Sequence, residues 1–122
     1  MKILGIGAHP DDIEIFMFGL LSICAQRGDE VSLMIATDGG AGNVLSNNNL
    51  SNIRKKETIL ALQDIGIPDL LGFPDGELSN VNDAMIILSK KIKLFNPDLI
   101  ITHAPEDYHP DHRALSYYVT QT

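Results

Sequence analysis

A chain of 122 residues with 44% hydrophobic side chains is long enough to bury a real core, which fits one globular domain over residues 1–122. Nine basic against sixteen acidic residues give a formal charge of −7, which argues against a polyanionic partner such as nucleic acid; the basic runs Arg54-Lys55-Lys56 and Lys90-Lys91-x-Lys93 are short. The lone Cys24 cannot pair internally, no apolar run approaches the ~18 residues of a membrane span, and the N-terminus lacks the features of a signal peptide, so a cytoplasmic protein without a membrane span is expected.

Ile3-Leu4-Gly5-Ile6-Gly7 is a short apolar run, the pattern of a strand buried on both faces of a parallel sheet. It leads into Ala8-His9-Pro10-Asp11-Asp12-Ile13-Glu14. Pro10 suits the first helical position, which makes His9 the last extended residue and puts Asp11 and Asp12 in the first turn. Ile13, Phe16, Met17, Leu20, Leu21 and Cys24 then follow helical spacing, widened by Ile15, Phe18 and Ile23. The pattern predicts a heavily buried helix that Gly28 closes. Residues 31–36 read as the second strand. It ends in Thr37-Asp38-Gly39-Gly40-Ala41-Gly42-Asn43, where glycine lets backbone approach a ligand or simply turn.

Residues 46–52 are polar and asparagine-rich, a loop or irregular helix start, and 53–65 are helical until Gly66 and Pro68. Arg54 and Glu57, three apart, read as a surface ion pair. A third strand at 69–73 precedes the turn Pro74-Asp75-Gly76-Glu77. Ala84, Ile87, Leu88, Ile92 and Phe95 form the inner face of a third helix, with Lys90, Lys91 and Lys93 outward and Pro97 ending it. The fourth strand, 98–102, is followed by a second corner, His109-Pro110-Asp111-His112, and a helix over about 110–119.

This alternation predicts an α/β fold, an open parallel sheet with helices on both faces. If strands two and three lie on one side of strand one and strand four on the other, the order is 3-2-1-4. Both His-Pro corners then open onto the crevice between the carboxyl ends of strands one and four, where such sheets bind ligands. A dinucleotide is disfavoured, because Gly5-x-Gly7-x-x-Pro10 lacks the third glycine and sets acids where a pyrophosphate needs N–H donors.

An aspartate after proline at a helix start is often only a cap. Capping needs one acceptor per helix, whereas these two corners carry carboxylates and imidazoles to spare. His9 and Asp12 can turn toward a common point and His112 can join them from the facing corner. Two imidazoles and a carboxylate are a set that holds catalytic zinc and leaves positions open; iron(II) fits the same ligands. Such an ion would offset local negative charge and lower the pKa of water from ~15.7 to about 7. Asp11 can serve as general base. His109, with Asp111 holding its tautomer, can act as an imidazolium that stabilises an oxyanion and protonates a leaving amine.

Ala-His-Pro-Asp-Asp-x-Glu with a later His-Pro-Asp-His resembles the PIG-L/LmbE-like N-deacetylase family, and Thr37-Asp38-Gly39-Gly40, Arg54-x-x-Glu57 and Gly72-Phe73-Pro74-Asp75-Gly76 match its pattern in order. The resemblance implies a Rossmann-like fold and a zinc-dependent hydrolase that removes acetyl from an N-acetylglucosamine-type amine. It makes His9, Asp12 and His112 the zinc ligands, Asp11 the base, and His109 the acid with Asp111 behind it. It also makes Arg54, and more loosely Asp75, substrate contacts, and Glu14 a supporting residue. Phe16 and Phe18 stand where many members carry small residues. The resemblance covers the whole chain but only the first half to two-thirds of a typical member, whose later part walls the substrate pocket. An alternative reading is therefore a catalytically silent metal-binding module that needs that part or a partner. A sheet ending at strand four leaves an open edge, so a homo-oligomer is expected.

Overall fold

A computed structural model describes residues 1–40 and 47–122, with only the backbone at 47–49. Ala41, Gly42 and Asn43 of the glycine-rich stretch, and Ser46, lie outside the described residues. The strands β1 (Lys2–Gly7), β2 (Glu30–Thr37), β3 (Asp69–Phe73) and β4 (Leu99–Ile101) form one parallel sheet in the order β3-β2-β1-β4. This is the expected α/β architecture and strand order. β1 is the inner strand beside β4, and Ile3, Leu4 and Ile6 are fully buried, which is why it reads as an unbroken apolar run.

The helices α1 (Phe18–Gln26) and α2 (Asn47–Ala61) follow β1 and β2, while α3 (Ala84–Phe95) and α4 (Pro110–Thr120) follow β3 and β4. One apolar cluster joins Ile13, Met17, Leu21 and Cys24 to Ile3, Leu33 and Ile35 of the sheet. The other joins Leu88, Ile92 and Leu115 to Leu4, Ile6 and Met34, so the two clusters occupy opposite faces of the sheet. Each fully buried side chain of this kind contributes about 1.5–3 kcal/mol relative to exposure.

Several boundaries differ from the expectation. α2 starts at Asn47, inside the polar asparagine stretch, and a turn from Leu62 to Gly66 (N–H to C=O 3.0 Å) follows it. A 3₁₀ turn at Leu78–Asn80 has no periodicity to announce it. β4 is shorter than 98–102, yet both ends stay tied to β1: the Asp98 carboxylate accepts the Lys2 N–H (2.7 Å) and the Thr102 hydroxyl donates to the Ile6 carbonyl (2.9 Å).

The first helix is not heavily buried all round. Ile13, Met17, Leu21 and Cys24 face the sheet, whereas Ile15, Phe16, Leu20 and Ile23 are 53–66% exposed. Only the side of this segment turned to the sheet is covered; β4 is the last strand of the sheet on that side among the described residues. No described helix is long and apolar enough to cross a membrane.

Candidate metal and catalytic centre

The first corner is a turn before it is a helix. The Asp12 N–H donates to the His9 carbonyl (3.2 Å), with Pro10 second in the turn and Asp11 third at φ 89°. That is the residue placement of a type II turn, which needs positive φ at its third position. Pro10 is thus a turn residue rather than the first helical one, and Asp11 lies outside the helix. A π-helical turn, Ile13–Met17, carries the chain into α1. The extra turn residue directs Asp12 inward, while the Asp11 side chain stays half exposed.

Asp12 Oδ2 is the centre of the cluster. It accepts the His9 N–H (2.8 Å) and lies 3.2 Å from His9 Nδ1 and 3.1 Å from His112 Nε2. Burial opposes charge on Asp12, but the imidazoles of His103 and His9 and the His9 N–H outweigh it and hold this carboxyl far below the usual carboxylate range. On His9, burial likewise opposes charge, and the carboxylates of Asp12, Asp111 and Asp75 overcome it, raising its pKa to about 9. His9 Nε2 faces Asp111 Oδ2 at 2.8 Å and Asp75 Oδ1 at 3.0 Å.

The second corner forms as its sequence predicts. His109 is extended (φ −93°, ψ 129°) and caps α4, with Pro110 at the first helical position. Its Nδ1 accepts the Asp111 N–H (3.1 Å), so a neutral His109 carries its proton on Nε2. Asp111 therefore sets the His109 tautomer through its backbone N–H. Its carboxylate is used elsewhere, accepting the N–H groups of Gly76 (2.7 Å) and Leu78 (3.1 Å) and holding His9. Burial first, then the charge on His9, pushes the His109 pKa down, which favours a neutral N–H donor over the expected imidazolium.

Arg54 does not spend itself on a surface pair with Glu57. It donates to the carbonyls of Gly39 (2.8 Å) and Pro10 (3.0 Å) and reaches Asp11 Oδ2 at 3.3 Å. Burial raises the Asp11 pKa, with Arg54 pulling the other way. Glu14 accepts the Thr58 hydroxyl (2.9 Å) and so ties the π-helical turn to α2. An open pocket of about 200 Å³ is lined by His9, Asp11, Asp12, His109 and His112 with Arg54, Asp75 and Tyr108.

Sequence reasoning missed three residues here. Tyr108 lines the pocket, Asp107 touches both His109 and His112, and His103 lies beside Asp12. The signal for His103 was its place directly after strand four, at the same sheet end as both corners. Among the described residues, ligand atoms within 4.8 Å of one another fall into three sets: His9-His109-His112, His9-Asp75-His109-Asp111 and Asp12-His103-His112. His103 Nε2 accepts the Ala8 N–H at 3.0 Å and is 3.4 Å from Asp12 Oδ2. His103 therefore satisfies a buried backbone donor at the first corner as well as facing the Asp12 carboxylate. The expected trio His9, Asp12 and His112 is not one of these three sets: Asp12 Oδ2 reaches His9 Nδ1 (3.2 Å) and His112 Nε2 (3.1 Å) separately, so the carboxylate links the two imidazoles, donor types suited to a divalent cation such as zinc.

Comparison with known proteins follows the same lines. The model of the PIG-L family, GlcNAc-PI de-N-acetylase, matches residues 4–122. A 1D-myo-inositol 2-acetamido-2-deoxy-alpha-D-glucopyranoside deacetylase of Corynebacterium diphtheriae is 29% identical over 91% of this chain and 48% of its own length. A diacetylchitobiose deacetylase of Thermococcus kodakarensis is 28% identical over 95% of this chain and 46% of its own. The solved structure of N,N'-diacetylchitobiose deacetylase from Pyrococcus horikoshii superposes with a TM-score of 0.88 at 30% identity, covering 98% of this chain and 48% of that one. The chain thus spans about half the length of the curated relatives it matches.

Proposed function

We propose that this chain, which belongs to the PIG-L family, is the catalytic part of a metal-dependent amidase that removes acetyl from an N-acetylglucosamine-type sugar or conjugate. The observation that supports this reading is the meeting of both His-Pro corners in one pocket, which His9, Asp11, Asp12, His109 and His112 all line. His9, Asp12 and His112 would hold the ion, taken to be zinc, and residues 1–122 act as one domain. Bound there, a divalent cation supplies Lewis acidity toward the amide carbonyl and toward water.

The remaining roles fall to the chain's own side chains. Asp11, whose proton affinity burial has raised, takes the proton of the attacking water. His109 lines the pocket and, with its proton on Nε2, donates to the carbonyl oxygen as negative charge develops; the proton that Asp11 took from water then passes to the departing amine, so His109 stays a neutral imidazole throughout. Arg54 and Asp75 line the same pocket at positions suited to sugar hydroxyls.

The experiment is acetate release from a small panel of N-acetylglucosamine derivatives, with and without chelator. Release that the chelator abolishes and zinc restores is expected; chelator-insensitive release would overturn the metal-dependent mechanism. A second reading, a metal-binding module without turnover, is favoured by one observation, the half-length match to the relatives. Bound zinc without acetate from any substrate would select it. We also propose that the chain self-associates through the β4 end of the sheet, where the exposed flank of α1 lies beside an edge strand.

A further inference from the structure

We infer that Asp107 is a positioning residue that holds the His112 imidazole in the orientation and tautomer a metal ligand needs, an inference that rests on the metal reading above. His112 is 2% exposed and lies between two other rings, His103 at 3.7 Å (9° between planes) and His109 at 4.9 Å (24°). Its Nε2 faces Asp12 at 3.1 Å. Its Nδ1 is buried and makes no well-aligned hydrogen bond, yet Asp107 Oδ2 lies 3.1 Å from it. A ring that gives Nε2 to a cation must keep its proton on Nδ1, and a buried N–H with no acceptor costs about 1–3 kcal/mol. The Asp107 carboxylate is the acceptor within reach. Carboxylates placed this way behind a ligating histidine fix its tautomer and raise its basicity.

Asp107 is itself held for the task. Its other oxygen accepts the His109 N–H (3.0 Å), and its carbonyl accepts the Arg113 guanidinium (2.7 Å). One side chain therefore sets the start of α4 and backs His112 at the same time. The two oxygens have separate duties, which gives the test its discrimination. In Asp107→Asn, the amide oxygen can keep the His109 N–H, but the amide NH₂ is then left facing His112 Nδ1. Donor meets donor there, and the ring is pushed toward the wrong tautomer.

Zinc affinity is measured by competition with a chromogenic chelator. The expected result for Asp107→Asn is a ~10–100-fold loss of affinity, the usual cost of removing such a partner, with the zinc-free protein melting as wild type does. In zinc-loaded wild type the His112 Nδ1–H should appear as a slowly exchanging, downfield proton that the variant lacks. Wild-type affinity in Asp107→Asn with that proton retained overturns the inference. If Asp107→Asn fails to fold, Asp107→Ser keeps a short acceptor for the His109 N–H and leaves nothing at Nδ1, and the same loss is expected of it. Wild type that binds no zinc would instead overturn the metal reading together with this one. Zinc bound equally by wild type and variants overturns only the role of Asp107.

Discussion

Asp11 occupies left-handed backbone at φ 89°, which an aspartate tolerates better than most residues but still at a cost of order 1–3 kcal/mol. Strain kept beside a cluster of imidazoles points to use, and the use available to a half-exposed carboxylate facing the pocket is to carry a proton. Asp11→Asn keeps both the size and the tolerance for positive φ. It should hold wild-type zinc by elemental analysis while kcat falls ~10²–10⁴-fold, the range for a lost general base; loss of zinc would make Asp11 a ligand. His109 has two separable duties, cap and donor. His109→Ala should lower stability by about 1 kcal/mol and kcat as well, whereas His109→Ser restores the cap and the stability but not the rate. Thermal melts read beside initial rates decide this, and a serine variant that recovers the rate would remove His109 from the chemistry. At this scale the corners were legible because proline, aspartate and histidine declare themselves locally. His103 was not, since its meaning comes from a contact with Ala8, 95 residues away in the chain; Asp107 contacts His109, His112 and Arg113 nearby, but an aspartate in a loop before a helix reads as an ordinary turn residue until those contacts are seen.

Among elements, what places the pocket is the loop after β2 against the first corner. Gly39 has φ 68°, and a Cβ there would come within 3.0 Å of both the Arg54 guanidinium and the Pro10 ring. Glycine lets Arg54 lie across the turn and donate to the Gly39 and Pro10 carbonyls at once. Gly39→Ala should therefore destabilise by about 1 kcal/mol or more through the backbone alone. It should also displace Arg54 and raise KM with less effect on kcat; denaturant melts with steady-state kinetics check both, and an unchanged KM would free Arg54 from substrate contact. Strand positions and order were readable, because apolar runs bounded by Gly, Pro and Asp leave little choice in a parallel sheet. The burial of α1 was over-read: helical periodicity shows which side chains are apolar, while their covering depends on what packs against them. The left-handed turn at Asp11 was hidden by Pro10, which suits the second position of a turn as well as the first of a helix.

The four-stranded sheet differs at its two edges. At the β3 end the edge carries Asp69, paired with Lys91 of α3 at 2.7 Å, a charged edge of the kind that discourages further pairing. At the β4 end, Leu99 is 45% exposed, and Phe16, Leu20 and Ile23 of the neighbouring helical segment are 61%, 53% and 63% exposed. Exposed apolar side chains, when they lie together, mark interaction sites. A stable interface needs ~800 Å² from each partner, and a second copy laid edge to edge about a two-fold axis would add strand backbone to those side chains. Phe16 also lines the small cavity that runs to His103 and Asp107, so cover on this flank would shield the back of the metal group from water. Light scattering over a range of concentrations should show the 122-residue chain in a monomer–dimer equilibrium. Ile23→Glu, far along the helix from the site, should shift that equilibrium to monomer while leaving zinc content intact. Monomer at every concentration, with acetate release at the rate of longer relatives, would defeat the self-association and show that four strands suffice.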